Sequence, residues 1–389
     1  MNRTKVIKRL PFPVYFFTIV LLTLIGLANS IYLSISHYRV YTDIGYKSFC
    51  AISRAINCDT VSQSPYSVFL NLPVPVWGVI GYVFLLLCLV GAASKSAGKN
   101  RLWSIVFWTC FGFSCCSVIL AAISTYLIGS YCIMCLISYG VNLALLFYAW
   151  IIRRRFSNAG LMEDTRKDVH YLWQTRARSL SSMSIFLVVA GLIWIFYPVY
   201  WNYQTPPFSD NIPTGMTTEG HPWIGAKTPI LEITEFTDYQ CFQCKKMHSF
   251  LRRLVADNPE KIRVVHRNYP MDHQFNPIVK EPFHVGSGKM ALLAIYAASK
   301  NKFWPMNDLL FSIAGQKKNI DIKELAAKLN LDSDELARSI NARSVRYQLL
   351  KDIFTGNKLG ISGTPAFEIN GNVYLGQIPA EILKSGMKN

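Results

Sequence analysis

Four stretches of the chain contain no charged residue and are long enough to cross a membrane as helices. A helix needs about 20 apolar residues to span a hydrocarbon core of about 30 Å. The third stretch is long enough for two helices, with a turn at Gly129-Ser130, and the first half of the second stretch, 60–71, is polar enough to be a surface loop or half-helix. The stretches are Leu10 to Ser36, Thr60 to Ser94, Leu102 to Ile152 and Ser179 to Ser209. We therefore predict five transmembrane helices, the fifth near Met183 to Trp201.

The composition is typical of a membrane protein. The chain is 51% hydrophobic and 16% charged, with a mean hydropathy of +0.23, whereas soluble domains carry about 25% charged residues. The 13% aromatic content excludes a disordered chain. The first stretch exceeds the apolar region of about 7–15 residues in a signal peptide, and no small-residue cleavage site follows it, so we expect it to remain as a helix.

Lysine and arginine lie mainly on one side of the predicted helices. Loops on the cytoplasmic side of a membrane carry an excess of these residues. The N-terminus and the loops between helices 2 and 3 and between helices 4 and 5 contain 14 of them, against three in 37–72. The 14 are Arg3, Lys5, Lys8, Arg9, Lys95, Lys99, Arg101, Arg153, Arg154, Arg155, Arg166, Lys167, Arg176 and Arg178, and the three are Arg39, Lys47 and Arg54. We therefore expect a cytoplasmic N-terminus, with everything after about Asn202 outside.

The net charge of +17 does not require a nucleic-acid partner. From Asp210 onward the chain has 23 Lys and Arg residues against 18 Asp and Glu residues, so most of the excess lies in the membrane half. A positive-inside distribution accounts for it. We therefore predict a protein that contacts lipid and does not bind nucleic acid.

Six of the ten cysteines form three close pairs, and the predicted topology puts all six on the outer side of the membrane. Such a compartment permits disulfides. One pair lies in the loop after helix 1, one opens helix 4, and one lies in the soluble tail: Cys50 with Cys58, Cys132 with Cys135, and Cys241 with Cys244. The other four fall within helices 2 and 3 and are expected to be apolar packing residues: Cys88, Cys110, Cys115 and Cys116.

Cys132 and Cys135 are one turn apart at the predicted start of a helix. Residues at i and i+3 share a helix face, and the helix N-terminus favours a thiolate. A disulfide between neighbouring residues of one helix would close almost no loop, so a redox role is favoured over a structural one. A zinc site built from two Cys pairs is the alternative, but the gap between Cys50 and Cys58 is longer than usual for zinc ligands. We predict no metal.

The soluble tail begins with a strand, a Cys-x-x-Cys motif and a helix. Pro229 to Phe236 alternates and is rich in β-formers, Cys241 and Cys244 follow a short turn, and Lys245 to Val255 has apolar residues at helical spacing. Strand, Cys-x-x-Cys and helix is the arrangement of thioredoxin. There the first cysteine, at the helix start, attacks a disulfide as a thiolate, and the second resolves the mixed disulfide.

The rest of the tail fits the same arrangement. We expect a second strand at Lys261 to His266, a mainly helical region from Glu281 to about Gly356, and a strand at Ala366 to Ile369 that ends in a turn. The Gly363-Thr364-Pro365 sequence opens that strand, where thioredoxin-like folds keep a cis-proline facing the two cysteines. We predict that Pro365 is cis and belongs to the site.

These residues resemble two known families. The first two hundred residues look like a bacterial vitamin K epoxide reductase homologue, and the tail from about Thr228 looks like a DsbA-type thioredoxin domain. The first resemblance rests on Cys50, Cys58-Asp59, Ser64-Pro65-Tyr66, Leu72-Pro73, Gly78 and the Cys132–Cys135 motif. The second rests on Glu235 to Cys241, Arg267-Asn268-Tyr269-Pro270 and Gly363-Thr364-Pro365. A departure is Phe242, where the DsbA relatives commonly have proline, and it puts the redox potential in doubt.

The resemblance implies a multi-pass α-helical membrane protein, a four-helix bundle plus a fifth linking helix, with a C-terminal α/β thioredoxin-like domain that contains a helical insertion. The implied domains are 1–155 (membrane domain), 156–205 (cytoplasmic loop and fifth helix) and 206–389 (thioredoxin-like domain). The implied location is the cytoplasmic membrane of a bacterium, with the thioredoxin domain in the periplasm. The implied partners are reduced exported proteins and a membrane quinone, either ubiquinone or menaquinone.

The implied activity is a quinone-dependent thiol:disulfide oxidoreductase that makes disulfides in exported proteins. Electrons would pass from the client to Cys241 and Cys244, then to Cys50 and Cys58, then to Cys132 and Cys135, and then to the quinone, with Cys135 facing it. A membrane-anchored isomerase or reductase, or a thioredoxin-like chaperone module, is the alternative.

The quinone site is the least defined part of this prediction. Tyr139 lies four residues after Cys135 on the same helix face, and Ser64, Phe69 and Trp77 come from the outer loop and the start of helix 2. Each of the four is either a quinone contact or a packing residue. Asp59 has two roles open to it, as the N-cap of the half-helix that follows or as a catalytic group.

Overall fold

The structure is a computed structural model in which the chain divides into two compact units, Met1–Trp201 and Asn202–Asn389. It describes residues 11–43, 46, 48–50, 52, 55–93, 102–156, 160–201, 211–313 and 321–387. Several of the cations that set the predicted orientation lie outside the described residues: Arg3, Lys5, Lys8, Arg9, Lys47, Arg54, Lys95, Lys99 and Arg101.

The first unit is built from helices. Within the described residues, four of its helices are long and apolar enough to cross a membrane, and they correspond to the first four of the five predicted spans. The elements are α1 (Phe12–Thr42), α2 (Cys58–Gln63), strands β1 (Val68–Phe69) and β2 (Leu72–Pro73), α3 (Val74–Ala93), α4 (Trp103–Ala122), α5 (Ile133–Phe156), α6 (Leu161–Gln174) and α7 (Arg176–Phe196). The four long helices are α1, α3, α5 and α4 with its π-helical extension Ile123–Ile128.

The predicted turn between the third and fourth spans is present. The π-helical extension of α4 ends at Gly129, whose φ of 72° is left-handed, and α5 begins four residues later at Ile133. Glycine adopts this conformation without the steric cost that a Cβ adds. The turn is therefore set by local sequence, and it delivers Cys132 to the start of α5.

The fifth helix differs from its predicted bounds. We expected it near Met183 to Trp201, but α7 runs from Arg176 to Phe196, and its apolar part, Leu180–Phe196, is shorter than the other four spans. The end has a clear cause, because Tyr197 precedes Pro198 and a residue before proline is driven into extended backbone. Tyr197 has a ψ of 126°. The segment 197–201 is therefore free to lie across the end of the bundle.

The four long helices pack through small residues and one buried polar chain. A Cβ on Gly26 of α1 would lie 2.4 Å from the ring of Tyr82, so that ring needs a glycine there. The Tyr82 hydroxyl donates to Asn142 Oδ1 at 2.6 Å, and Asn142 Nδ2 donates to Ser117 Oγ at 2.9 Å. Because a buried polar group must find a partner, this chain fixes how α3, α4 and α5 sit against one another.

A buried carboxylate joins α6 to the start of α4. Asp168 of α6 accepts the backbone N–H of Leu102 at 2.7 Å and that of Ser104 at 3.0 Å, together with the Ser104 hydroxyl. The first N–H groups of a helix have no partner within the helix, so Asp168 caps α4 from a different element. The chain between α5 and α7, predicted as a cytoplasmic loop, thus contains a helix with a defined structural role.

We expect Asp168→Ala to lower the free energy of unfolding of the protein in detergent by about 1–3 kcal/mol, because buried N–H groups lose their acceptor. The matched control is Glu163→Ala on the same helix. Glu163 forms an exposed pair with Lys167 at 2.6 Å, and solvent-exposed pairs contribute little to stability. Equal effects of the two substitutions would contradict the capping role.

The second unit is a six-stranded sheet covered by helices. Its strands lie in the order β3-β4-β6-β5-β7-β8. The strands are β3 (Thr214–Met216), β4 (Pro222–Gly225), β5 (Leu231–Thr237), β6 (Ile262–Asn268), β7 (Ala366–Ile369) and β8 (Asn372–Leu375). The helices are α8 (Phe242–Asp257), α9 (Ser287–Ser299), α10 (Phe303–Ile313), α11 (Ile322–Leu329), α12 (Ser333–Ser339), α13 (Arg343–Lys358) and α14 (Ala380–Met387).

The sheet confirms the predicted thioredoxin-like fold with a helical insertion. β5 pairs in parallel with β6 and antiparallel with β7, and α9 to α13 lie between β6 and β7 in the chain. The predicted turn after β7 is a tight connection through Asn370 and Gly371, both with positive φ, which is typical of a two-residue hairpin. The edge strand β3 and its neighbour β4 were not predicted, because each is only three or four residues long.

Candidate active site

The loop after α1 carries a disulfide between Cys50 and Cys58, whose Cα atoms are 5.6 Å apart. Both cysteines are buried in one apolar cluster with Leu33 of α1 and Cys132, and Cys135 packs against that cluster. The fold therefore brings the loop pair and the pair at the start of α5 into a single site. This juxtaposition is the central feature of the first unit.

Backbone pairing holds the loop against the start of α5. The N–H of Asn57 donates to the Tyr131 carbonyl at 2.9 Å, and the N–H of Tyr131 donates to the Ala55 carbonyl at 2.8 Å. Cys58 and Cys132 each come one residue after a member of this pairing, so the position of one sulfur is tied to that of the other. Backbone hydrogen bonds do this without requiring a particular side chain.

The cap of α2 is Asn57 and not Asp59. The Asn57 side chain accepts the backbone N–H groups of Asp59 and Thr60 at 3.0 and 3.1 Å. Asn and Asp are comparable N-caps, and here the residue before Cys58 takes the position. The Asp59 carboxylate is buried and accepts the N–H of Ser48 at 3.2 Å. Asp59 thus fixes the segment that leads into Cys50.

Cys132 and Cys135 lie at the start of α5 as predicted. The N–H of Cys135 donates to Cys132 Sγ at 3.2 Å, so the first sulfur accepts a backbone N–H from the first turn of the helix. Asn29 of α1 donates to the Met134 carbonyl at 2.8 Å and to Ser138 Oγ at 2.7 Å. These contacts fix the first turn of α5 against α1, which sets the direction of the Cys135 side chain.

A cavity of about 630 Å³ opens beside Cys135. Its walls come from α1, the loop around α2, the hairpin β1–β2, and α3, α4 and α5, and they are mostly apolar. All four residues predicted for a quinone site line it together: Ser64, Phe69, Trp77 and Tyr139. Trp77 Nε1 also donates to the Phe69 carbonyl at 2.9 Å, and Ser64 Oγ to the Val61 carbonyl at 2.8 Å. Their binding role remains a prediction.

His37 is the cavity residue that our sequence reasoning missed. It lies on α1 with a 1% exposed side chain and contacts the hydroxyls of Ser67 and Tyr200. The signal was available, because an ionisable residue within a membrane helix is a functional candidate. We overlooked it because the charge-free stretch was taken to end at Ser36, one residue earlier.

α7 and the segment that follows it contact the β1–β2 hairpin, α1 and α3. Trp194 Nε1 donates to the Leu70 carbonyl in the β1–β2 hairpin at 2.8 Å, and Tyr200 reaches His37. Phe186 of α7 packs on Phe84 of α3, with ring centroids 5.4 Å apart. The fifth helix therefore packs against the other elements of the first unit.

The remaining cysteines of the membrane helices do not form a further pair. Cys110 is fully buried in the helix core and Cys88 packs against it, as expected for apolar packing residues. Cys115 is exposed, and Cys116 lines the cavity. Across the described ranges, no three metal-binding side chains come together.

In the second unit, Cys241 is the N-cap of α8. Its sulfur accepts the N–H of Cys244 at 3.2 Å, and its thiol faces the Thr364 carbonyl at 3.4 Å, next to the cis bond between Thr364 and Pro365. The side chain of Cys241 is 7% exposed, whereas that of Cys244 is 0% exposed. Cys241 and Pro365 therefore meet at one site, with Cys241 as the more accessible sulfur.

The two thiols of α8 differ in acidity. Burial opposes a thiolate at Cys241, but hydrogen bonds from Cys244 and the positive charge of a protonated His284 outweigh it and lower the pKa of Cys241. Burial, together with the adjacent Cys241 thiolate, raises the pKa of Cys244 well above its ordinary value. A low-pKa thiol at a helix start is the reactive one, so Cys241 is suited to attack and Cys244 to resolve.

Asp238 organises the residues around Cys241. Its carboxylate accepts the N–H groups of Gln240 and Met271, both at 2.6 Å, and the hydroxyl of Ser287 at 2.8 Å, and it lies 3.1 Å from His284 Nδ1. These contacts come from three separate parts of the unit. Asp238 thereby fixes the turn before Cys241 and holds His284 close to it.

Two family models match the chain, one to each unit. A model described as the vitamin K epoxide reductase family matches residues 17–150, and a model described as thioredoxin matches residues 217–389. The chain joins a vitamin K epoxide reductase family domain to a thioredoxin-like domain. The cysteine cluster and its cavity lie in the first match, and Cys241 and Pro365 lie in the second.

Curated relatives cover parts of the chain. It is similar to a probable disulfide bond formation protein D of Bacillus cereus, with 23% identity over 164 residues, 39% of this chain and 70% of that protein. It is also similar to the Na(+)/H(+) antiporter NhaA 3 of Salinispora tropica, with 25% identity over 163 residues, 42% of this chain and 24% of that protein. The chain thus spans about a quarter of the length of the antiporter.

Two solved structures resemble part of the chain. A thioredoxin-like oxidoreductase from Silicibacter pomeroyi is 24% identical with a TM-score of 0.37, covering 44% of this chain and 91% of that one. Oxidised BdbD from Bacillus subtilis is 18% identical with a TM-score of 0.35, covering 46% of this chain and 100% of that one.

We expect His284→Ala to slow the alkylation of Cys241 by iodoacetamide several-fold near pH 6. Removing the imidazole raises the pKa of Cys241, so less thiolate is present at that pH. The measurement is mass spectrometry of the Cys241 peptide from the reduced full-length protein. The matched control is His273→Ala, since His273 contacts Asp272 at 3.6 Å and does not contribute to the acidity of Cys241. Equal alkylation rates in the two variants would show that His284 does not lower the pKa of Cys241.

Proposed function

We propose that the chain is a quinone-dependent thiol:disulfide oxidoreductase that forms disulfide bonds in exported proteins. The observation that carries the proposal is the cluster of Cys50, Cys58 and Cys132, with Cys135 at its edge on the wall of an apolar cavity. A structural role for these cysteines does not require a cavity beside them. The two family matches support the same reading.

The thioredoxin-like domain would take electrons from the client. A client thiolate attacks the Cys241–Cys244 disulfide at Cys241, the more exposed sulfur, and a second client thiol displaces Cys241 to leave a client disulfide. Each exchange breaks one S–S bond and forms one. The domain ends as a dithiol, and its Cys241 thiolate is then the nucleophile for the next exchange.

The cysteine cluster would pass the electrons inward. Cys241 attacks the Cys50–Cys58 disulfide and Cys244 resolves it, which leaves the loop pair reduced. One loop thiolate then attacks the Cys132–Cys135 disulfide, and the second closes the loop disulfide again. The burial of Cys58 and Cys132 in one cluster supports this exchange, because thiol–disulfide exchange requires access of one sulfur to another.

The cavity fits a quinone. Its volume of about 630 Å³ lies within the range of about 300–1,000 Å³ for small-molecule sites, and such sites are mainly apolar with a few placed polar groups. Phe69 and Trp77 would contact the ring, and Tyr139 and Ser64 would orient it. When bound, a quinone accepts two electrons and two protons and so removes the electrons of the Cys132–Cys135 dithiol. Cys135 supplies the sulfur that faces it.

The proposed location is the cytoplasmic membrane of a bacterium. Four helices of spanning length support a membrane protein, and the basic residues at the end of α5, Arg153 to Arg155, support a cytoplasmic position for that end. The N-terminus would then also be cytoplasmic and the thioredoxin-like domain periplasmic. The partners would be reduced exported proteins, with ubiquinone or menaquinone as the acceptor.

We expect the purified protein to reduce a short-chain ubiquinone when it is given a reduced, unfolded client. Cys135→Ala and Cys241→Ala should each lower the rate to background, because one loses the last sulfur of the relay and the other the first. Quinone absorbance gives the rate. The control is Cys115→Ala, an exposed cysteine of α4 that should leave the rate unchanged. Full activity in Cys241→Ala would make an isomerase the better assignment for the second domain.

We also expect Cys244→Ser to accumulate a mixed disulfide between Cys241 and either Cys50 or Cys58, since the resolving thiol is absent. Non-reducing digestion and mass spectrometry would identify the linked peptides and the loop cysteine involved. The Cys241→Ser/Cys244→Ser double variant is the control and should give no such species. Recovery of Cys241 as a free thiol in the single variant would argue against transfer between the two domains.

A further inference from the structure

We propose that Tyr200, His37 and Ser67 form a proton relay that leads into the cavity beside Cys135. This inference rests on the proposed quinone-dependent activity and adds a proton path to it. The three groups are contiguous: His37 Nδ1 lies 2.8 Å from the Tyr200 hydroxyl, and His37 Nε2 lies 3.2 Å from Ser67 Oγ. His37 and Ser67 both line the cavity.

The position of His37 on α1 relates it to the cysteines. Ser30, Leu33 and His37 fall on one face of the helix and all line the cavity. Leu33 is also a member of the cysteine cluster, and His37 lies one turn further along α1, about 6 Å at the usual helical rise. The relay therefore reaches the same cavity as Cys135, but from a different wall.

The chemistry of the three groups suits proton transfer. An imidazole can accept a proton at one nitrogen and release one from the other, and a hydroxyl can donate and accept at the same time. A phenol, an imidazole and a serine hydroxyl in series can thus pass a proton in either direction. Ser67 is the terminal member and would donate to the bound quinone oxygen, so His37 acts through Ser67.

The surroundings of His37 leave it available for this role. Its ring packs on Tyr41 of the same helix, with centroids 5.0 Å apart, and on Tyr200. Within the described part of the chain, no carboxylate contacts the ring, and the nearby Arg39 pairs with Asp43 at 3.0 Å instead. The imidazole is therefore not held in an ion pair. Tyr200 is half-buried, so the end of the relay away from the cavity is partly accessible.

The proton balance closes with this relay. Closing the Cys132–Cys135 disulfide releases two electrons and two protons, and a quinol needs two of each. One thiol proton would go to the quinone and the other to water. The relay would bring one proton in through Tyr200 and His37 to Ser67, whose hydroxyl would supply the second proton that the quinol needs. The net uptake and release of protons are equal.

The test uses the full-length protein in nanodiscs with a short-chain ubiquinone and a reduced client. We expect His37→Gln and Ser67→Ala each to lower kcat by about 100-fold, a typical loss for proton transfer, while the KM for quinone changes less than about threefold, since ground-state binding is retained. The wild type should show a solvent deuterium isotope effect on kcat, and both variants should show an equal or larger one, because proton delivery then limits turnover. Tyr38→Phe is the control, since it keeps the ring that packs on Tyr200, with centroids 4.9 Å apart, and removes a hydroxyl outside the relay.

A second readout does not depend on turnover. In ¹⁵N-histidine NMR of the quinone-free protein, His37→Gln assigns the two ring signals of His37. We expect Tyr200→Phe to shift the Nδ1 signal and Ser67→Ala to shift the Nε2 signal, each through loss of its hydroxyl partner. The transfer of client electrons as far as Cys132–Cys135, measured by thiol counting without quinone, should be normal in His37→Gln and shows that this variant is folded.

The outcomes separate the relay from the activity on which it rests. If the wild type reduces quinone and His37→Gln does so at the same rate with the same isotope effect, the relay is wrong and the proposed function stands. If His37→Gln raises only the KM, His37 shapes the binding site and the relay is again wrong. If the wild type reduces no quinone, the proposed function fails and the relay fails with it.

Discussion

The first unit depends on the short backbone pairing between the loop at Ala55 to Asn57 and Tyr131. Its two hydrogen bonds join this loop to the start of α5. Without them, the length of the loop alone would not fix where its cysteines lie. Cys58 and Cys132 directly follow the two segments joined by this pairing, so their burial in one cluster follows from it. The backbone pairing sets the arrangement, and two side chains add to it: Asn57 caps α2, and Asn29 of α1 donates to the Met134 carbonyl of α5.

The second unit positions its first cysteine, Cys241, through a different set of contacts. There a helix N-terminus, a buried carboxylate and a cis-proline come together around Cys241, and the supporting contacts of Asp238 come from distant parts of the chain. Both centres place the first cysteine of a Cys-x-x-Cys motif where the N–H of the second can donate to it. The same hydrogen bond, from the N–H of the second cysteine to the sulfur of the first, is therefore present in both units.

The features that follow from local pattern were predictable from sequence. Four spans came from charge-free runs, the turn at Gly129 came from glycine, and the strand, motif and helix at Cys241 came from alternation and spacing. The three cysteine pairs were visible as spacing alone. Tyr139 could be assigned to the cavity because it shares a helix face with Cys135, which is a local geometric argument.

The features that depend on distant contacts were not predictable. Asn57 and Asp59 are both good caps, and only the path of the chain decides between them. Asp168 caps a helix more than 60 residues away in sequence, so no window around it reveals that role. The partners of His37, Tyr200 and Ser67, lie 163 and 30 residues away in sequence, so these contacts could not be predicted, although a histidine within a membrane helix is itself a signal. The end of α7 was misplaced because hydropathy outweighed the proline at 198, which is a local signal that we did not use.

The hydrogen bonds of Trp194 and Tyr200 bear on how such a two-part protein can be assembled in evolution. A boundary drawn at residue 155 separates the modules by sequence, but these two side chains form hydrogen bonds with the bundle side of that boundary, at the Leu70 carbonyl and at His37. A recombination event at that boundary would remove the donor to the Leu70 carbonyl and the phenol beside His37. Exchange of thioredoxin-like partners between relatives is therefore least costly after Trp201, and the fifth helix would be inherited together with the bundle.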